Sequence, residues 1–302
     1  MRKLENLINF IVVGTAKAGT TSLFYTIKKH HKIFIPEQKE MYFFDHKNIN
    51  SKKGATKKFT DYHNNSPHQI SNIDDYIEFY KNVKRDFICG DITASYLYNY
   101  KYSIPEIKAH CSEDVKIIII LRNPVERTYS QYLHGIREGF ETLSFFDSIK
   151  QEEKRKNNNY SYNYFYKDYG NYYEQVKAFL ENFINVKIYF YEDLFSEDFY
   201  KDFFEYIQVE PIKISKTPTM NKTGIPKSKI LQKILDIARS NRSIVKFFKF
   251  LGFEKLYLRV KYSNLKKPEM DLKSREYLKS YFKSDLQKLE KLLSKDLSHW
   301  YK

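Results

Sequence analysis

The feature that most constrains the fold is a short apolar run followed at once by a glycine-bounded loop and a hydroxyl-rich helix start. The run covers residues 10–13, the loop lies between Gly14 and Gly19, and residues 20–22 open the helix. A loop of this kind offers backbone N–H groups, a helix N-terminus and one lysine to a single anion. The pattern therefore predicts a strand, a phosphate-binding loop and a helix that packs on a sheet.

The position of the lysine separates this loop from that of nucleotide triphosphatases. In the GxxxxGK[ST] pattern the lysine directly follows the second glycine. Here Thr20 occupies that position and Lys17 lies inside the loop, so the charge is displaced relative to the bound phosphate. A P-loop kinase or nucleotidase that uses ATP and Mg²⁺, with Asp91 as its acidic residue, is the first alternative.

Strand-like and helix-like segments alternate along the chain. The clearest strand, 115–121, is a short apolar run without polar alternation, typical of a parallel strand covered on both faces. Strands are also predicted at 33–35, 87–91 and 186–191, helices at 20–29, 71–83, 105–111, 124–138, 196–207 and 273–293, and loops at 151–173 and 210–226. We expect an α/β fold, a single P-loop-type domain over 1–302 with a central parallel sheet flanked by helices. Its helical C-terminal part, about 227–302, is expected to dock on the same domain.

A second anion site is predicted where the apolar strand ends. Arg122 leaves the strand tip, and Ser130 lies about two turns into the helix that Asn123 and Pro124 begin. In open parallel sheets, ligands bind beyond the carboxyl ends of the strands. Arg122 and Ser130 are therefore placed to hold a second phosphate. The alternative is that Arg122 pairs with a structural carboxylate and Ser130 lies on the helix surface.

Charge and cysteine content bear on partners and compartment. The formal net charge of +15 favours an anionic ligand or acceptor, although scattered lysines also arise from proteome bias. Cys89 and Cys111 lack the spacing of a metal site, which favours a reducing compartment. No apolar run approaches the ~20 residues of a membrane span. We expect a cytoplasmic protein with no transmembrane segment and no nucleic-acid partner; the oligomeric state is left open.

These motifs resemble those of sulfotransferases that use 3′-phosphoadenosine 5′-phosphosulfate. Residues 13–23 look like the 5′-phosphosulfate-binding loop of that family, and 121–132 are similar to its 3′-phosphate-binding segment. Residues 39–45 resemble the catalytic stretch of the bacterial and heparan-sulfotransferase-like branch. Residues 191–194 and 285–300 resemble a strand end and the C-terminal helix of the family, so the resemblance spans nearly the whole chain.

The resemblance implies that a sulfuryl group passes from this donor to a hydroxyl or amine, leaving 3′,5′-adenosine bisphosphate, without a metal. It implies that Lys17 stabilises the departing bridging oxygen and that Glu40 acts as general base. For Glu40 the alternative is a solvated loop carboxylate. The implied donor-binding residues are Lys17, Ala18, Gly19, Thr20, Thr21, Ser22, Arg122, Ser130 and Lys227.

The chain departs from the family pattern at Ile92. Heparan-type members carry a lysine there that assists catalysis, so this role is missing or filled by another residue. The acceptor is expected to be a glycan or another small molecule, with an anionic glycan favoured by the charge. Aromatic residues at Tyr42, Phe43, Tyr132 and 160–173 are suited to stacking on sugars, or else belong to the core. The second alternative is a non-catalytic polyanion-binding protein.

Overall fold

The computed structural model describes residues 4, 7–48, 53–64, 70–214, 224–228, 230, 231, 235, 260 and 263–302. The predicted loop at 210–226 lies partly outside the described residues, and so does much of the predicted helical C-terminal part.

A five-stranded parallel sheet forms the centre of the structure. Its strands are β1 (Phe10–Gly14), β2 (Ile33–Phe34), β3 (Ile88–Ile92), β4 (Lys116–Leu121) and β5 (Val186–Phe190). They lie in the order β2-β3-β1-β4-β5, and Phe10 is opposite Gly90 on one side and Lys116 on the other. This confirms the predicted α/β fold. Because the chain crosses from β3 over β1 to β4, the carboxyl end of β1 lies where the strand order reverses, which is where such sheets bind ligands.

Helices connect these strands, and a short hairpin follows them. The helices with described bounds are α1 (Thr20–Ile27), α2 (Lys57–Asn64), α3 (Ile73–Glu78), α4 (Tyr100–His110), α5 (Pro124–Glu138), α6 (Phe145–Lys150), α7 (Glu152–Asn157), α8 (Tyr172–Asn182), α9 (Glu197–Tyr206) and α10 (Leu272–Leu293). The hairpin pairs β6 (Ile225–Pro226) antiparallel to β7 (Leu265–Lys266).

The sheet is covered on both faces because successive strand residues enter two different apolar clusters. Ile11 and Ile117 belong to a cluster that includes side chains of α5, α8 and α10. Val12 and Ile118 belong to the other cluster, which includes side chains of α1 and α9. All four are fully buried. Burial on both faces explains why β1 and β4 read as continuous apolar runs in the sequence.

Two predicted helix boundaries are wrong for local reasons. The helix expected at 105–111 begins at Tyr100, because the carbonyl of Asn99 accepts hydrogen bonds from backbone N–H groups one turn ahead of Pro105. Proline suits a first helical turn, so the sequence pattern predicts that the helix starts at Pro105. The helix that begins after Asn72 ends at Glu78 and not near 83, and turns with backbone hydrogen bonds of the i→i+3 type follow it.

The segment 151–173 is more ordered than the predicted loop. It contains α7, and both carboxylate oxygens of the fully buried Glu152 accept hydrogen bonds from the backbone N–H groups of Lys167 and Asp168, at 2.6 and 3.0 Å. The sequence shows no periodic apolar pattern here because a buried carboxylate, and not an apolar face, organises the segment. Four of its tyrosines, Tyr164, Tyr166, Tyr169 and Tyr172, are buried in the core.

The final helix packs on the main apolar cluster. Leu278, Phe282 and Leu286 are fully buried on one face of α10. The side chain of Asp285 accepts hydrogen bonds from the backbone N–H groups of Tyr172 and Tyr173, which start α8. The extent of a single domain over residues 1–302 stays a prediction.

Candidate active site

Close packing explains both glycines of the loop between β1 and α1. A Cβ atom at Gly14 would lie 2.7 Å from the Cβ of Leu97. At Gly19, where φ is +83°, a Cβ atom would lie 2.5 Å from Leu194 and 3.3 Å from the ring of Tyr191. Any other residue would displace the loop or its neighbours. The loop is therefore seated against the segment that follows β5.

The first turn of α1 is suited to binding an anion. Gly19 is its N-cap and provides no side-chain hydrogen bond, and the first turn contains no acidic residue. Thr20 and Ser22 are buried and Thr21 is half-buried. The positive end of the helix dipole is thus left without a carboxylate from its own first turn, as in phosphate-binding helices.

Lys17 lies half-buried in this loop among other cations. Its backbone is in the left-handed region, with φ of 71°. Burial is the main cause that lowers the pKa of Lys17 to about 7; the guanidinium groups of Arg137 and Arg122 contribute to this shift, and Glu138 opposes it. An ammonium group with so low a pKa is stabilised when an anion binds beside it.

Arg122, at the end of β4, contacts the loop directly. Its Nη1 donates a 2.8 Å hydrogen bond to the carbonyl oxygen of Lys17, and its guanidinium lies 4.4 Å from the ring centre of Tyr191. The hydroxyl of Tyr172 donates to the carbonyl oxygen of Arg122 at 2.8 Å. Within the described part of the chain, Arg122 forms no ion pair, which disfavours the alternative of a structural carboxylate partner.

Helix α5 places two further predicted donor residues. It starts as expected, with Asn123 accepting from the backbone N–H of Val125 at 3.0 Å. Ser130 is 2% exposed, so it does not lie on the helix surface. The strand β6 packs against α5, and the exposed Lys227 directly follows β6. Lys227 is therefore near the helix that carries Ser130, and a phosphate contact by either residue stays a prediction.

Glu40 is linked to the donor loop through its neighbour. Its Oε1 lies 3.1 Å from Nζ of Lys39, and the same Nζ lies 3.4 Å from Oγ1 of Thr20. The Glu40 side chain is 20% exposed. Glu40 is therefore a largely buried carboxylate with a cationic partner, which disfavours the alternative of a solvated loop carboxylate.

A buried hydrogen-bond network holds the segment that carries Glu40. The backbone N–H of Met41 donates to Oγ1 of Thr93 at 3.1 Å, and Thr93 donates to Oδ1 of Asp91 at 2.7 Å. The hydroxyls of Tyr76 and Tyr96 donate to Oδ2 of Asp91 at 3.0 and 2.9 Å. Burial raises the pKa of Asp91 to about 6. Asp91 is thus a structural carboxylate, which disfavours its role as a magnesium ligand in the kinase alternative.

Five of the aromatic residues that were candidates for stacking on sugars are buried in the core. Phe43 is 2% exposed and stacks on Tyr76 with ring centres 4.5 Å apart. The aromatic residues that are buried in the 160–173 run are Tyr164, Tyr166, Tyr169 and Tyr172. Tyr42 and Tyr162 are only half-buried, and burial together with the nearby Glu40 carboxylate raises the pKa of both. These two tyrosines therefore lie within electrostatic range of the candidate base.

Arg137 and Glu138 were missed in the sequence. Arg137 lies in the last turn of α5, its Nε donates to Glu138 at 3.0 Å, and its Nη2 is 2.8 Å from Nδ1 of His134. A basic residue at a helix C-terminus ordinarily interacts with the helix dipole, so the sequence carries no signal that Arg137 acts on Lys17.

Other site types are absent from the described residues. No group of three or more His, Cys, Asp or Glu side chains is arranged there to hold a metal ion. In the same residues, no helix has the length and apolar character needed to cross a membrane. Cys89 and Cys111 are buried, and neither is part of a disulfide bond.

A solved structure of another protein has a similar fold. The structure matches that of a sulfotransferase from Alicyclobacillus acidocaldarius with a TM-score of 0.67 and 27% sequence identity, over 98% of this chain and 99% of that one. Over nearly its whole length the chain is therefore similar to a solved sulfotransferase. This likeness confirms the resemblance to sulfotransferases that was drawn from the two phosphate motifs.

A curated relative matches a shorter stretch of this chain. It is the membrane-associated sulfotransferase kil1 of Dictyostelium discoideum, 32% identical over 135 residues. The match covers 45% of this chain and 24% of kil1, so the aligned part spans about a quarter of that relative. No model of a known protein family matches the chain.

Proposed function

We propose that this chain transfers a sulfuryl group from 3′-phosphoadenosine 5′-phosphosulfate to a hydroxyl or amine of an acceptor. The observation that carries the proposal is the convergence of Lys17, Arg122 and Arg137 at the carboxyl end of β1. Like charges repel in a partly buried site unless a polyanion binds among them. A donor with a 5′-phosphosulfate and a 3′-phosphate has the required charge.

The donor-binding residues fall into two groups by position. Residues 17–22 surround the positive end of α1 and are proposed to hold the 5′-phosphosulfate. Arg122 and Ser130, with Lys227 as a further contact, are proposed to hold the 3′-phosphate. This second group distinguishes the donor from ATP, which has no 3′-phosphate.

In the proposed reaction the acceptor oxygen or nitrogen forms a bond to sulfur as the bond from sulfur to the bridging oxygen breaks. The electron pair of the broken bond stays on that oxygen, which becomes part of the 5′-phosphate of 3′,5′-adenosine bisphosphate. Lys17 stabilises the charge that develops there. Glu40 takes the proton from the acceptor. No step requires a metal, so we expect transfer to survive chelation by EDTA.

For the acceptor we propose a saccharide. Tyr42 and Tyr162, half-buried beside Glu40, have the amphipathic rings that stack on sugar faces. The formal net charge of +15 supports an anionic glycan. For the compartment we propose the cytoplasm, a choice supported by two cysteines that form no disulfide bond.

The test is incubation of the purified chain with sulfate-labelled donor and a cell extract of the native host, followed by identification of the labelled product. We expect label in a carbohydrate product, and none with Lys17→Met. Calorimetric titration tests the kinase alternative. If ATP with Mg²⁺ binds more tightly than 3′,5′-adenosine bisphosphate, the proposal is overturned. Salt-sensitive polyanion binding without affinity for the bisphosphate would favour the non-catalytic alternative.

A further inference from the structure

Ile92 cannot supply the cationic role that the family pattern assigns to its position. It ends β3, is 2% exposed, and packs in the apolar cluster with side chains of α1 and α9. A lysine there would have to leave this cluster to reach the site. Any cation that assists Glu40 must therefore come from another part of the chain.

Lys39 has the contacts that such a cation needs. Its Nζ lies 3.1 Å from Oε1 of Glu40 and 3.4 Å from Oγ1 of Thr20. The Lys39 side chain is 11% exposed, so the contact is largely shielded from solvent. A shielded ion pair holds its geometry better than an exposed one, which solvent and salt screen.

Two residues that are adjacent in the sequence do not ordinarily make such a contact. In an extended segment, adjacent side chains point to opposite sides. Here the backbone N–H of Met41 donates to Oγ1 of Thr93, which fixes the backbone directly after Glu40. Glu40 is thus held twice, by this backbone bond and by the Nζ of Lys39.

We propose that Lys39 is a positioning residue that joins the general base to the donor loop in place of the missing family lysine. The assignment rests on the proposed function. The ammonium group keeps the Glu40 carboxylate oriented, and its second contact ties that carboxylate to the residue that begins α1. Small displacements of a reacting group reduce rates steeply, so this link sets the rate of transfer.

The experiment compares Lys39→Met, Lys39→Arg and the wild-type chain in transfer from labelled donor to the carbohydrate fraction of the host extract. We expect Lys39→Met to lower kcat at least about tenfold with little change in the KM for the donor. Lys39→Arg should recover most of the rate.

Lys28→Met is the matched control. Lys28 forms the other lysine–glutamate pair near this segment, with Glu37, whose side chain is 91% exposed. We expect wild-type kcat and wild-type KM for the donor from Lys28→Met. Unchanged affinity for 3′,5′-adenosine bisphosphate in every variant shows that the fold is intact.

A double-variant cycle separates positioning through Glu40 from an independent role. In the Glu40→Gln background, Lys39→Met should cause no further loss of rate, because the group it positions is already gone. Wild-type kcat in Lys39→Met, or an equal loss in both backgrounds, would overturn the assignment while the proposed function stands. Absence of transfer by the wild-type chain would instead overturn the proposed function, and this assignment with it.

Discussion

Nη1 of Arg122 donates a 2.8 Å hydrogen bond to the carbonyl oxygen of Lys17, joining two phosphate motifs that lie 105 residues apart in the chain. The bond exists because β4, which carries Arg122, is the neighbour of β1 in the sheet. It gives Arg122 two tasks, support of the loop backbone and provision of a guanidinium to a ligand. Loss of Arg122 should therefore disturb both phosphate sites, and the 3′ site more.

Arg122→Ala should weaken the binding of 3′,5′-adenosine bisphosphate more than the binding of adenosine 5′-phosphosulfate, which has no 3′-phosphate. A hydrogen bond to a charged group contributes about 1.5–3 kcal/mol, so we expect a roughly 10- to 100-fold loss for the bisphosphate. Titration calorimetry measures both affinities. Arg85→Ala, which removes an exposed arginine, serves as control. Equal losses for the two ligands would contradict a role of Arg122 at the 3′-phosphate.

Glu40→Ala should abolish transfer while donor binding survives. A positioned general base contributes about 10²–10⁴-fold, so we expect kcat to fall within that range and the affinity for the bisphosphate to change little. Rates with labelled donor and calorimetry with the bisphosphate measure the two quantities separately. Glu37→Ala removes an exposed carboxylate three residues away and should behave as the wild type. Full activity of Glu40→Ala would remove Glu40 as the base.

Binding of 3′,5′-adenosine bisphosphate should take up protons at pH 8. The pKa of Lys17 is lowered to about 7, so the free side chain is mostly neutral at this pH, and phosphate binding favours its charged form. The affinity should consequently fall as the pH rises above 7, by up to about tenfold per pH unit. Calorimetry in buffers of different ionisation enthalpy counts the protons. Lys17→Met should take up none, and an unchanged uptake in that variant would assign the proton to another group.

Asp45→Asn should change the pH dependence of stability. Burial raises the pKa of the fully buried Asp45 to about 7, and the hydrogen bond from Asn99 only partly offsets this. Because the folded pKa is raised, the contribution of Asp45 is favourable at low pH and is lost as the pH rises toward 7. The loss has a slope of up to about 1.4 kcal/mol per pH unit.

Urea unfolding at pH 5 and pH 8 measures this contribution. Relative to the wild type, Asp45→Asn should gain stability between these two pH values, since it has no carboxyl group to ionise. Asp114→Asn, at an exposed loop position, should follow the wild-type pH dependence. A wild-type protein whose Asp45-dependent stability rises with pH would contradict the raised pKa.

The sequence determined the parts of this protein that depend on short-range order. The spacing of Gly14 and Gly19, the displaced Lys17 and the apolar run before Arg122 lie within local stretches of strand, loop and helix. Apolar runs that are buried on both faces predict parallel strands, and ligands bind at their carboxyl ends, so the fold class and the two phosphate motifs could be predicted.

Only the tertiary structure decided which side chains meet around those motifs. The order of the strands sets β3 and β4 on either side of β1. That order makes Asp91 a buried anchor for the Glu40 segment and brings Arg122 to Lys17. Contacts such as Lys39 with Thr20, or Arg137 near Lys17, join residues that are distant in the chain. Their free energy depends on packing and desolvation in the assembled fold, which no local pattern of residues encodes.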